Sequence, residues 1–256
     1  MVKSIIYGPV PSWRLGRSLG VDLVSTEGKT CSFDCIYCQL GRTIYPRVER
    51  QEFITMTQLA RELEAVRNNI VADYITFSGM AEPTLASNLG EAIGIAKSII
   101  PLPVAVLTNS SLMPREEVCD DLVQADVVVA KIDAANELMF RQINNPVVDY
   151  SFDQILCSIE HFRKRYKGKL ALQMMFIAIN KDYARQMADI ARRLSPDEVQ
   201  LNTPLRPCPV KPLNPESMTI IENEFTGLTV VNVYQAPKPE VVPLNLEETL
   251  RRRPKL

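Results

Sequence analysis

The 256-residue chain is 46 % hydrophobic and 23 % charged, a globular balance that excludes a largely disordered protein and suits one large α/β domain or two small ones. Its 29 basic and 30 acidic residues leave a net charge of −1, so no global field points to nucleic acid, although a local basic patch can coexist with a neutral total. No apolar run approaches the length of a membrane span.

The chain opens "MVKSIIYGPVPSWR", one lysine and an apolar run cut short by Gly8 and Pro9. An export signal needs a longer run, so a cytoplasmic location with no membrane partner is expected. In that reducing compartment clustered thiols bind metal or do chemistry rather than pair. Short β-branched runs predict strands at 18–24, 73–79, 103–110, 126–134, 170–180 and 197–205. Between them, amphipathic runs predict helices at 55–70, 89–100, 115–125, 151–166 and 183–194, the first with Leu59, Leu63 and Val66 on one stripe. This alternation implies parallel strands joined by right-handed crossovers. No glycine-rich nucleotide fingerprint follows the first strand. The polar residues of interest instead end the predicted strands, where a parallel barrel builds its site.

The expected fold is therefore α/β, a partial (βα)6 TIM-like barrel over residues 1–206. From 207 to 256 the chain turns Pro-rich ("APKPEVVPLN") and is expected to wrap the core as an extension, ending in a short basic helix in "LEETLRRRPKL".

The stretch "KTCSFDCIYCQLG" holds Cys31, Cys35 and Cys38, too many for one disulfide and one short of a closed four-thiolate site. Thiolates favour zinc or iron–sulfur clusters. Zinc would need a fourth ligand, and the single histidine, His161, reads as a residue of the helix 151–166. A [4Fe–4S] cube on three thiolates would keep one iron open. The thiols by themselves leave both metals open.

Other candidates sit at strand ends. "SGMAEPT" places Gly79, where a backbone can approach closely, and Glu82, either a helix cap or an acid for a cationic ligand. Thr108, Asn109 and Ser110 end the third strand. On the fourth, Lys131 and Asp133 point to one face, and charges inside a parallel strand need a partner or a ligand. Gln173, Gln200 and Asn202 are weaker candidates for the same cavity, with Met174 and Met175 on a strand that should line it. Cys119 and Cys157 occupy apolar helix positions and read as core, while Cys208 has no neighbouring thiol.

The C-x3-C-x2-C spacing with Tyr37 before its third cysteine resembles the signature of the radical S-adenosylmethionine (SAM) superfamily. "YGPVPSWRLGRSLGVDLV", "TFSGMAEPTL", "LTNSSL", "AKIDA" and "QLNTPLRP" are similar to one subgroup, iron–sulfur oxidoreductases related to wyosine (tRNA imidazoguanosine) synthase. The resemblance implies a [4Fe–4S] cluster on Cys31, Cys35 and Cys38, with SAM on the open iron. An electron from a donor such as ferredoxin or flavodoxin would cleave SAM to a 5′-deoxyadenosyl radical that takes hydrogen from substrate. It further implies that Glu82 and Gly79 receive the SAM ammonium and Asp133 its ribose. Tyr37, Thr108, Asn109, Ser110, Lys131, Gln173 and Asn202 would complete the cofactor site. Ala81 replaces the usual glycine before the acid, and Met80 a polar residue.

Trp13, Arg14 and Arg17 are the expected substrate contacts, on a "GPVPSWRLGR" segment held rigid beside the open barrel edge. The substrate is expected to be an RNA base, as in tRNA, or else a protein, peptide or small metabolite. A non-enzymatic electron-transfer protein is a third reading. Relatives continue past an "RRP" segment into a small winged-helix-like domain, which is expected to be absent here.

Overall fold

The computed structural model describes residues 4–254. In chain order they form β1 (Ile6–Ser12), β2 (Gly16–Val21), β3 (Thr30–Cys31), β4 (Tyr45–Pro46), α1 (Met56–Val66), β5 (Tyr74–Phe77), α2 (Leu89–Ile99), β6 (Val104–Thr108) and α3 (Glu116–Leu122). The order continues with β7 (Val127–Lys131), α4 (Glu137–Asn144), α5 (Phe152–Arg165), β8 (Lys169–Met175), α6 (Ala184–Leu194), β9 (Glu198–Asn202), α7 (Pro215–Glu222), β10 (Val230–Asn232) and α8 (Leu246–Arg252). One sheet runs β1-β2-β5-β6-β7-β8-β9-β10. Only the β1–β2 pairing in it is antiparallel. Its edges β1 and β10 do not pair, so the curled sheet is an open partial barrel. The six predicted strands are β2 and β5 to β9.

The structure adds elements that the residue pattern hid. β1, "IYGPVPS", has the composition of a turn, yet proline is tolerated on an edge strand. That edge is covered by the C-terminal segment: Leu244 N–H donates to Gly8 O, and Gly8 N–H to Thr249 Oγ1 at 2.9 Å. Nor is the chain after 206 purely an extended wrap, because α7 and β10 interrupt it. α7 starts with Asn214 accepting from Ser217 N and proline at its first position, a helix start rather than a breaker. α8 ends basic as expected, and the last two residues of the predicted helix lie outside the described residues.

Strand alternation divides the interior. Val104, Val106, Val128, Leu170, Leu172, Val199 and Leu201 face the helices and belong to the main core. Their alternates face inward. Ala105, Val127, Val129 and Ala171 form a small apolar plug with Leu15 at the strands' N-terminal ends. Further along the same faces come Lys131, Gln173 and Asn202, which line a cavity at the C-terminal ends. Among the described residues no helix is long and apolar enough to cross a membrane.

Candidate active site

Cys31 ends β3, and the loop that follows is clamped from three sides. Thr30 bridges to Ala81, Phe33 to Pro146, and Arg47 N–H donates to Cys31 O. Ile36 N–H donates to Ile143 O, tying the loop to α4. Cys31, Cys35 and Cys38 are free thiols, each partly buried. Two amides point at sulfur: Asn109 Nδ2 lies 3.5 Å from Cys31 Sγ, and Asn144 Nδ2 lies 3.4 Å from Cys35 Sγ.

Burial pushes the Cys31 thiol up to about 12, with Glu82 and Cys35 adding to it and Lys29 opposing. Burial also raises Cys35. Lys29 is buried with the three sulfurs; burial disfavours its charge, but the cysteines outweigh it and its pKa rises. Thiolates here therefore call for a cationic centre, which deprotonates them outright. Among the described residues no three His, Cys, Asp or Glu side chains converge as ligands of a single ion do. In a cube each thiolate takes its own iron, so the sulfurs stand apart. Three free thiols on one clamped loop, with N–H groups on two of the sulfurs, fit that cluster.

The Gly79 loop has a hidden support. Gly79 has φ +153, and a Cβ there would lie 2.2 Å from Asp22 Cγ. Asp22 accepts from Met80 N–H at 3.1 Å and from Arg252 Nε at 2.8 Å. Arg252 is fully buried and also pairs with Glu248 at 2.6 Å. Burial raises the Asp22 carboxyl, and Arg252 pulls it back. Residue pattern alone marks neither Asp22 nor Arg252 as part of the site. The available signal was a charge inside the apolar strand "GVDLV".

The two acids expected to touch SAM are already engaged. Glu82 Oε1 accepts from Thr84 N, Thr84 Oγ1 and Thr108 Oγ1, and Oε2 accepts from Asn109 N at 2.7 Å. It caps the turn Pro83–Leu85, and burial raises its pKa. Asp133 Oδ2 accepts from Tyr37 Oη and from Asn144 Nδ2, while Oδ1 accepts from Met175 N at 2.9 Å and faces Lys131 Nζ at 3.3 Å. Burial and Asp133 together hold the Tyr37 hydroxyl well above its usual range. Asn144 links this acid to the cysteine loop and was missed because α4 was missed; its flanking Asn136 cap and left-handed Asn145 were the signal.

The remaining candidates separate cleanly. Tyr37, Gly79, Lys131, Gln173, Met175 and Asn202 line the cavity of about 480 Å³. Ser110, at φ +70, instead accepts from Lys131 N, and Gln200 donates to Glu198. Met174 faces the core. Trp13 and Arg14 line the cavity, but Arg17 pairs with Asp73 at 2.6 Å outside it. Arg206 and Arg253 line it unforeseen. Cys119 is buried, whereas Cys157 is half-buried and accepts from Arg193. Cys208 donates to Val210 O, and His161 is exposed.

A family model described as Radical SAM superfamily matches residues 28–191. A UPF0026 protein of Methanocaldococcus jannaschii is 38 % identical over 224 residues, covering 85 % of this chain and 69 % of its own. A UPF0026 protein of Synechocystis is 38 % identical over 207 residues, covering 80 % and 77 %. Among solved structures, Streptococcus suis SuiB bound to S-adenosylmethionine superposes with a TM-score of 0.65 at 12 % identity, over 85 % of this chain. The chain spans 50 % of the length of that structure.

Proposed function

From the premise that this chain belongs to the radical SAM superfamily and, within it, to the UPF0026 proteins, and is an enzyme, we propose the following division of labour. Residues 1–206 form the catalytic barrel and 207–256 cover its edge. Cys31, Cys35 and Cys38 hold a [4Fe–4S] cluster, and the cavity beside Cys38 and Tyr37 holds SAM. When bound and reduced, that pair supplies a 5′-deoxyadenosyl radical for hydrogen abstraction. The observation that carries this reading is three free thiols on one clamped loop, the third of which, Cys38, lines the cavity.

The chain's own residues position and insulate. Asn109 and Asn144 donate to sulfur, which stabilises thiolate charge and tunes the potential. The backbone of Gly79 to Ala81 and the Lys131 ammonium face the cosubstrate, while Glu82 and Asp133 hold the walls. The apolar plug around Leu15 and Val129 keeps water from the closed end. An electron donor of the ferredoxin or flavodoxin kind reduces the cluster in a reducing cytoplasm.

For substrate we favour an RNA base, because Trp13 with the Arg14 guanidinium 4.8 Å over its ring offers a stacking surface at the cavity. A peptide or small metabolite is the second reading, favoured by Arg17 being engaged by Asp73 rather than free for phosphate. Anaerobic turnover with a reductant should yield 5′-deoxyadenosine and methionine. Absence of both from reconstituted protein would overturn the enzymatic reading. Binding of tRNA across salt concentrations separates the two substrates, since phosphate contacts impose a steep salt slope.

A further inference from the structure

Five of the side chains lining the cavity are cationic, namely Arg14, Lys131, Arg206, Lys238 and Arg253, and among the described residues none is acidic. In a chain of net charge −1 that is a strong local bias. Lys131 is balanced by Asp133 at 3.3 Å, and Lys238 is exposed. The three arginines differ from both. Arg14 stacks on Trp13, and its buried Nε has no hydrogen-bond partner among the described residues. Arg206 donates to Gln39 Oε1 at 2.9 Å, and Arg253 donates to Ser78 Oγ at 3.2 Å and to Arg252 O at 3.3 Å. Among the described residues their hydrogen-bond partners are all neutral. Burial, then the charges of Arg253 and Arg206, lowers the Arg14 pKa to about 9; burial and Arg253 lower Arg206 to about 10.

Three guanidiniums gathered from the β1–β2 turn, the segment after β9 and the end of α8 repel one another, so the arrangement needs an anion between them. We infer that Arg14, Arg206 and Arg253 form a phosphate-binding cradle that holds a phosphoryl group of the substrate inside the cavity. A carboxylate brings one charge and two oxygens. A phosphate monoester brings close to two charges and three acceptor oxygens, a better match to three planar forks that donate in pairs. That this ligand belongs to the substrate rests on the radical SAM reading; that the cradle binds phosphate does not. The same monoester chemistry could come from the 5′-terminal phosphate of an RNA strand or from a free phosphorylated metabolite.

Trp13 is the chain's single tryptophan and touches the cradle, so its fluorescence reports directly on occupancy. Reconstituted protein is titrated anaerobically with inorganic phosphate, ribose 5-phosphate and a short 5′-phosphorylated single-stranded RNA, with and without saturating SAM. A saturable change is expected, compatible with bound SAM, and weakened about tenfold or more by each of Arg14→Gln, Arg206→Gln and Arg253→Gln. Arg61→Gln, on the exposed face of α1, should leave it unchanged. Where a glutamine variant fails to fold, the lysine variant keeps the charge, loses the fork and should still weaken binding. Tighter binding of ribose 5-phosphate or of the RNA identifies the source, and either supports the cradle. No saturable response to any of the three probes, a response indifferent to all three arginines, or displacement of phosphate by SAM would overturn it. SAM cleavage is assayed on the same samples, so loss of turnover with intact phosphate binding would count against the enzymatic reading alone.

Discussion

The cavity has two differently finished ends. Around the cysteine loop every buried acid is answered by this chain's own donors: Glu82 by Thr84, Thr108 and Asn109, Asp133 by Tyr37, Asn144 and Met175, and Asp22 by Arg252 and Met80. Around Trp13 the cavity-lining arginines Arg14, Arg206 and Arg253 have no acidic hydrogen-bond partner among the described residues. At the first end the acids are scaffold, satisfied by the chain itself, and only the thiols await a partner. The second end is complementary to something the chain does not contain. A buried charge that is paired holds structure, and one left unpaired is a binding site held at some cost in stability.

Stability measurements can break this contrast. The largest effect should come from Asp22→Ala, which leaves the Arg252 guanidinium buried beside the Gly79 loop. Removing one partner of a buried pair costs about 3–5 kcal/mol when the other is left uncompensated. The low end of that range is expected here because Glu248 still pairs with Arg252, to be read from urea unfolding of the purified chain. A loss near zero would show that Asp22 does not anchor that loop. Glu82→Ala should cost less, about 1–3 kcal/mol, for donors left unsatisfied. If it instead leaves stability unchanged and abolishes SAM binding, Glu82 is a ligand contact and not a wall.

Arg14→Gln should behave in the opposite sense, leaving stability unchanged or raised, because it removes a charge held among like charges. The pH dependence sharpens this. Burial and the neighbouring arginines lower the Arg14 pKa to about 9 on folding, so above that pH the unfolded chain binds the extra proton and stability rises with pH. The penalty is present in full below pH 9. The advantage of Arg14→Gln over the parent chain should therefore be largest below pH 9 and shrink above it, in thermal melts across that range. A variant less stable than the parent at pH 7 would contradict the contrast.

How much of this was legible beforehand depended on distance along the chain. The six central strands were readable because each is a local β-branched run, and the three thiols because their spacing lies within one loop. β1 was not, since "GPVP" argues for a turn, and its pairing with β2 and the covering contacts of Leu244 and Thr249 make it a strand. The roles of Glu82 and Asp133 could be placed at the site but not divided between wall and ligand. Their partners, Thr108 and Asn144, become neighbours only when the barrel curls. The arginine cradle was the least visible part. Arg14, Arg206 and Arg253 are far apart in sequence, and "RRRP" looks like a basic tail until Arg252 turns inward and Arg253 reaches the cavity.

The central claim is that Cys31, Cys35 and Cys38 hold a cluster with one iron left for SAM. The most direct test is EPR of anaerobically reconstituted, reduced protein before and after SAM is added. The account predicts a reduced [4Fe–4S] signal that changes when SAM binds and is absent when all three cysteines are replaced by alanine. Stoichiometric zinc with no reducible cluster, or a cluster signal indifferent to SAM, would contradict it.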